Sequence, residues 1–333
     1  STSRCEGFTF DYDLPNDTAY CETCASVGLI LWNHRMNLLD PDSKYADVLE
    51  RAMYNAAIAG VSLSGDRFFY VNPLYSDGKH HRQEWFDCAC CPTQVARFVP
   101  SIGRYMYATS PQTIWVNLYA GGQASISGSN VECELRHTTR YPYDGLVRLT
   151  LESQPVGLET LCLRIPGWCP SFALAVNGQA VQDIILQKGY VQIHREWSKG
   201  DVIELRMDTP VMLVRSSSEV KANEGRVAIQ RRPLVYCVEE IDSAVRFEDI
   251  EIGPETIFAV READLFGEGE SVRPDAESGR RDVGRVPVID AALRNGRRLF
   301  TAIPYHLWDN RAAGRMSVWL PERRNENRLY SVG

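Results

Sequence analysis

Between residues 113 and 208 the chain reads TIWVNLYA (113–120), VECELRH (131–137), LVRLTLE (146–152), TLCLRIP (160–166), FALAVNG (172–178), YVQIHREW (190–197) and VIELRMD (202–208). Apolar and polar residues alternate inside each run, and Gly, Pro, Asn and Asp separate one run from the next. A side-chain period of two gathers the apolar set on one face of a strand, so this stretch predicts an antiparallel β-sandwich.

Outward from it the pattern changes on the N-terminal side and persists on the C-terminal side. From Ala19 to Ala108 the apolar spacing is helical. One helix is predicted over Thr23–Leu39, a second over Ser43–Ala59, and a third after Cys91, with Pro92 suited to its first turn. RFFYVNPL (67–74) reads as strand and loop. Beyond Pro210, VMLVRS (211–216), RVAIQRR (226–232), LVYCVEE (234–240), FTAIP (300–304) and MSVWLP (316–321) form a second β-rich stretch, and the polar segment from Glu268 to Arg285 reads as a surface loop. The expectation is a mixed α and β multidomain chain, divided at 1–108, 109–208 and 209–333.

With 333 residues, 44% of them hydrophobic, the chain can bury the cores of two or three domains. A net charge of −7 with no basic block longer than the pairs Arg231-Arg232 and Arg323-Arg324 argues against nucleic acid or an anionic membrane as partner. No apolar run approaches the roughly 20 residues of a membrane-spanning helix. The opening at Ser1 carries no signal peptide and reads as an internal cut.

Six of the ten cysteines, Cys5, Cys21, Cys24, Cys88, Cys90 and Cys91, crowd into the first third of the chain, which favours metal or thiolate chemistry over a disulfide framework. Cys133, Cys162, Cys169 and Cys237 read as small buried hydrophobes. In WFDCACCPTQVARF (85–98), Cys90 and Cys91 precede a helix start, where free N–H groups and the positive dipole end favour thiolate. Neighbouring cysteines bond to each other only with a distorted peptide, so a metal is the more economical explanation. CETC (21–24) puts Glu22 and Cys24 at the start of another helix. One carboxylate and three sulfurs suit Zn²⁺, and spacing alone leaves a purely structural zinc open beside a catalytic one.

The runs GFTFDYDLPNDTAYCETCASVGLILWNHRM (7–36), FFYVNPL (68–74) and WFDCACCPTQVARFVPSIGRYMY (85–107) resemble the catalytic core of the glycoside hydrolase family that contains β-L-arabinofuranosidases. KGDVIELRMDTPVMLVR (199–215), GRVAIQRRPLVYCVEE (225–240) and AIPYHLWDNRAAGRMSVWLP (302–321) resemble its β-domains. That resemblance implies the C-terminal part of an (α/α)6 barrel followed by β-sandwich domains. It also implies zinc held by Glu22, Cys24, Cys90 and Cys91, with Cys90 as nucleophile, Glu6 of CEGFTF (5–10) as general acid/base, and Glu50 and Tyr70 touching the sugar.

Such a site would use a retaining mechanism on a small carbohydrate, an arabinofuranoside of a plant glycan or glycoprotein. The alternatives are a related furanosidase for another rare plant sugar, or a non-catalytic carbohydrate-binding protein stapled by zinc. Thiol redox function lacks the thioredoxin-like βαβ unit it would need. The resemblance starts inside the barrel, so the expectation is that this chain alone is inactive and leaves apolar helix faces uncovered. The β-domains leave room for a homodimer, and exposed thiols favour a cytoplasmic setting. His80 and His81, in SDGKHHRQE (76–84), read as solvated loop residues near the mouth of the site, and Trp115, Trp168, Trp197 and Trp319 as core.

Overall fold

The computed structural model describes residues 6–128, 130–182, 184–266 and 285–323; the polar segment read as a loop from Glu268 lies almost wholly outside them. The chain is a mixed α and β protein with three α-helices and three sheets among the described residues. It forms two compact units, one built from residues 1–25, 55–93 and 211–333, the other from 26–54 and 94–210. None of the helices is long and apolar enough to cross a membrane.

In the second unit, helix α1 (Thr23–Leu39, which starts in the first unit) has buried positions Val27, Ile30, Asn33 and Asn37, the spacing of one helical face. Its other face is also apolar and stays exposed, with Trp32 at 68% and Leu39 at 81%. Helix α2 runs over Ser43–Ala52 with Asp42 as cap, its carboxylate accepting from Lys44 N at 3.1 Å. The predicted helix to Ala59 is therefore corrected: the backbone widens to a π turn over Met53–Ala57 and tightens to a 3₁₀ turn over Ile58–Gly60. At that widening, in the first unit, Asn55 donates to Pro233 O (2.6 Å) and accepts from Val235 N (2.7 Å), bonds its side chain makes with a strand.

The second unit holds a six-stranded antiparallel sheet, ordered 122–128, 131–139, 146–151, 202–207, 172–176 and 179–180. Val131, Cys133, Leu135 and His137 face inward between exposed Glu132, Glu134 and Arg136, as the alternation predicts. The companion five-stranded sheet departs from the all-antiparallel expectation, because Thr113–Val116 pairs in parallel with Thr160–Arg164. Thr160–Arg164 is buried beyond simple alternation, Leu161, Cys162, Leu163 and Arg164 all being buried in succession, and a parallel pair suits a strand covered on both faces.

His137, 3% exposed, meets Tyr107 of the other sheet, its Nε2 lying 2.9 Å from the hydroxyl. Burial pushes its pKa down to about 4 from 6.5. Above pH 6.5 the folded and unfolded forms are both neutral and His137 adds nothing. As pH falls from 6.5 the unfolded chain takes up the proton first, so stability is lost until about pH 4, to a total of about 3 kcal/mol. A His137→Phe variant should flatten the thermal midpoint between pH 6.5 and pH 4; an unchanged slope would remove His137 as the cause.

The first unit carries a nine-stranded sheet, in which strands 75–76, 316–317, 234–239, 298–304, 285–293 and 256–264 follow one another and 212–214, 226–231 and 319–321 lie alongside. Its core is Val227, Ile229, Tyr236, Val238, Val288, Phe300, Ile303 and Leu320. Thr256–Asp264 pairs with Arg285–Leu293 over its whole length, a hairpin absent from the sequence reading. Thr256–Asp264 leaves both faces largely exposed, Ile257 at 51% and Val260 at 42%, so no clean alternation marks it. RFFYVNPL forms isolated bridges instead of a strand: Phe68 pairs with Val61 and Gln83, and Val71 with Glu22.

Candidate metal and catalytic centre

Glu22 and Cys24 are fixed by the chain beside them. Thr23 N donates to Tyr70 O (3.0 Å) and Asn72 N to Cys21 O (2.9 Å), which lays residues 21–23 against 70–72. The Thr23 hydroxyl, fully buried, donates to Phe69 O at 2.9 Å and accepts from Asn72 Nδ2 at 2.9 Å. Gly60 packs so closely on Thr23 that an added Cβ would stand 2.5 Å from its methyl, so this approach needs glycine. From the other side, helix α3 (Cys90–Phe98) begins at the cysteine pair, with Pro92 in its first turn as expected. Thr93 ties that turn down, its hydroxyl 3.0 Å from the carbonyls of Ala89 and Cys90.

These two helix starts bring Glu22, Cys24, Cys90 and Cys91 together, their ligand atoms all within 4.8 Å of one another. Sγ of Cys24 and Cys91 are 3.5 Å apart and those of Cys90 and Cys91 3.8 Å; Glu22 Oε1 is 3.6 Å from Cys90 Sγ and 3.7 Å from Cys91 Sγ. Thiolates about 2.3 Å from a tetrahedral Zn²⁺ stand roughly 3.8 Å from each other, so the donor set matches that ion in chemistry and in spacing. None of the nine described cysteines is in a disulfide. Cys91 is buried, whereas Glu22, Cys24 and Cys90 keep an open side. Cys21 and Cys88 are exposed and outside the cluster. Burial pushes the Cys24 thiol up to about 12 and raises Cys91 as well, the behaviour of sulfurs that need a cation to ionise.

Around Cys90 the side chains are aromatic. The Tyr70 hydroxyl lies 3.3 Å from Cys90 Sγ, and the hydrogen bond with that sulfur is the first cause holding Tyr70 above the usual phenol range. Phe86 meets the Tyr70 ring edge-on at 5.5 Å, and Tyr20 stands at 5.9 Å on another side. The Tyr20 hydroxyl donates to Glu6 Oε1 at 3.1 Å, which brings Glu6 into the same group. Tyr20 and Phe86 were not found from the sequence; Tyr20 is adjacent to the CETC motif, but no spacing singles it out.

Glu50 belongs to the other unit and is 1% exposed. Its carboxylate accepts from Arg164 Nη2 (2.5 Å), Tyr141 OH (2.6 Å) and Trp168 Nε1 (3.5 Å), bonds that hold it inside the packing of that unit. The solvated reading is corrected for His80, which stacks on Phe69 at 5.1 Å and places Nε2 2.9 Å from Val71 O, with burial lowering its pKa; His81 is exposed as read and sits 2.6 Å from Asp309. Trp168 and Trp197 are buried, and Trp115 and Trp319 half-buried.

Three models of one family match along the chain. Residues 1–104 match the Beta-L-arabinofuranosidase GH127 catalytic domain, residues 113–209 the GH127 middle domain, and residues 211–321 the glycoside hydrolase family 127 C-terminal domain. The non-reducing end beta-L-arabinofuranosidase of Bifidobacterium longum subsp. longum is 37% identical over 347 aligned positions, covering 96% of this chain and 52% of that protein. A solved GH127 beta-arabinofuranosidase superposes with a TM-score of 0.83 at 36% identity, over 95% of this chain and 51% of its own. Ara127N-Se, a GH127 beta-L-arabinofuranosidase from Geobacillus stearothermophilus T6, gives 0.81 at 38%, over 95% and 52%. The chain spans about half the length of these relatives. Matched by family models from end to end of its described core, the chain belongs to glycoside hydrolase family 127.

Proposed function

We propose that this protein releases L-arabinofuranose from β-L-arabinofuranosides by a retaining mechanism, as the names of its relatives indicate for them. The observation that carries the reading is the Glu22, Cys24, Cys90, Cys91 cluster at tetrahedral spacing, with Cys90 open on one side. Zinc bound there would supply the positive charge that keeps the sulfurs as thiolates at neutral pH.

Cys90 Sγ then attacks the anomeric carbon while Glu6 gives its proton to the departing glycosidic oxygen, so a C–S bond forms as the C–O bond breaks. In the second half Glu6 takes a proton from water, whose oxygen attacks the same carbon and expels the Cys90 sulfur. Two displacements at one carbon retain its configuration. Tyr70, its hydroxyl 3.3 Å from Cys90 Sγ, is placed to present that hydroxyl to the sugar. Glu50 is assigned a structural role instead, because Arg164, Tyr141 and Trp168 engage its carboxylate.

The finer fold reading belongs to the same proposal: residues 1–108 as part of an (α/α)6 barrel, with β-sandwich domains over 109–208 and 209–333. So does residence in a reducing, cytoplasmic setting, supported by the number of free cysteines.

Elemental analysis of protein purified under reducing conditions is expected to find one zinc per chain, lost in Cys24→Ala and in Cys91→Ala. Lowering the pH should release the metal, because protons compete for the sulfurs. Protein with native circular dichroism but no metal would sink the zinc assignment, and inversion in the released sugar would sink the two-step mechanism.

A further inference from the structure

Four side chains of the first unit form a continuous line. Cys90 Sγ is 3.3 Å from the Tyr70 hydroxyl, the Tyr70 and Tyr20 hydroxyls are hydrogen-bonded to each other, and the Tyr20 hydroxyl donates to Glu6 Oε1 at 3.1 Å. A phenol has one proton to give, and Tyr20 gives its own to Glu6, so the bond between the tyrosines is donated by Tyr70. Glu6 itself sits at φ 51°, in the left-handed region that a residue with a Cβ occupies only when its surroundings hold it there.

We infer that Tyr20 is a positioning residue for the acid/base, engaging Oε1 of Glu6 as an acceptor so that the transferable proton is carried by Oε2 and is aimed at the glycosidic oxygen. The inference rests on the proposed glycosidase reading and deepens it. A carboxylic acid free to rotate offers its proton from either oxygen in many directions. One whose Oε1 accepts from a fixed phenol has a single oxygen left to protonate and a fixed plane. The other end of the line explains why the phenol is fixed: Tyr20 is held by Tyr70, whose ring stands 5.9 Å away and whose hydroxyl lies beside Cys90 Sγ, so nucleophile and acid are set by neighbouring side chains. After the first step, when Glu6 is ionised, the same donation steadies the carboxylate while it draws a proton from water.

Tyr20→Phe keeps the ring against Tyr70 and removes only the hydroxyl. Two β-L-arabinofuranosides are compared in the full-length protein by kcat/KM, which reports the step in which the leaving group departs: one with a sugar alcohol leaving group and one with p-nitrophenol. An alcohol leaves only with a proton, whereas p-nitrophenolate leaves without one. The variant is expected to lose about 10- to 100-fold on the sugar glycoside, the range of a hydrogen bond to a charged group. It should lose less than about 3-fold on the nitrophenyl glycoside, with zinc content unchanged. In a Glu6→Gln background, Tyr20→Phe should add nothing further.

Equal losses on both substrates, no loss on either, or a Tyr20 effect that persists without Glu6 would each overturn the assignment. Failure of the unmodified protein to hydrolyse either glycoside is a different result: it overturns the glycosidase reading and takes this inference with it.

Discussion

Replacing Cys90 with serine is expected to lower turnover of a β-L-arabinofuranoside by about four orders of magnitude or more, as removal of a nucleophile does elsewhere. The reason is chemical more than geometric. Serine fits the same space, but at neutral pH its hydroxyl is protonated, where a metal-held cysteine is a thiolate; the attacking electron pair is missing even though the atom is present. Serine is also the poorer zinc ligand, so metal content should fall partway, and Cys90→Ala marks the limit with that ligand gone. Mass spectrometry of acid-quenched protein should show a glycosyl adduct on Cys90 in the unmodified chain and none in the variant. A Cys90→Ser protein retaining substantial activity would remove Cys90 from the nucleophile role, while leaving the other three donors as a possible structural metal site.

The second large effect concerns stability. Arg164, at 0% exposure, donates to Asn117 O, Asp47 Oδ1 and Glu50 Oε1, each at 2.5 Å. Burial alone would lower its pKa, but Glu50, Tyr141 and Asp47 hold the guanidinium well above its ordinary value. Arg164→Met should destabilise the protein by about 3–5 kcal/mol, because it leaves the Glu50 carboxylate buried without its counter-charge. For a unit of this size that is a fall of roughly 10 °C in thermal midpoint. Adding Glu50→Gln should recover part of the loss, since the stranded charge is the larger cost. If Glu50 served the sugar instead, Glu50→Gln alone would change kcat/KM and leave the thermal midpoint where it was.

What the sequence made legible follows from what repeats in it. Period-two alternation located seven of the ten described strands between Thr113 and Met207, most of which have one buried and one exposed face; Gly122–Gly128, Gln179–Ala180 and Leu186–Gln187, largely exposed, carry no such pattern. Helix α1 was bounded at Thr23 and Leu39 as read, its apolar spacing unbroken between them. The four metal-ligand candidates stood out because CETC (21–24) and CACC (88–91) each place sulfurs at a predicted helix start and carry the family resemblance. Less legible was anything decided by partners remote in sequence. The end of α2 depends on Asn55 reaching Pro233 and Val235, and the fate of Glu50 depends on an arginine more than a hundred positions away. Thr256–Asp264 escaped notice because exposed strands carry little pattern, and Tyr20 because its importance lies in two hydroxyl contacts, not in its neighbours along the chain.

The way the first unit is assembled bears on how the protein is made. Its strand at Tyr75–Ser76 finds its partner in Met316–Ser317, and the stretches on either side of the metal cluster are closed by strands that come after residue 211. At a synthesis rate of about 5–20 residues per second, Cys90 and Cys91 leave the ribosome on the order of ten to fifty seconds before that final partner does. During this interval the sulfurs belong to a nascent chain with no completed sheet beside them. Metal capture and oxidation therefore compete on the clock of translation, and the yield of competent protein should depend on the zinc and thiol balance of the expressing cell. Long sequence separation between pairing strands slows folding further, which lengthens the same window.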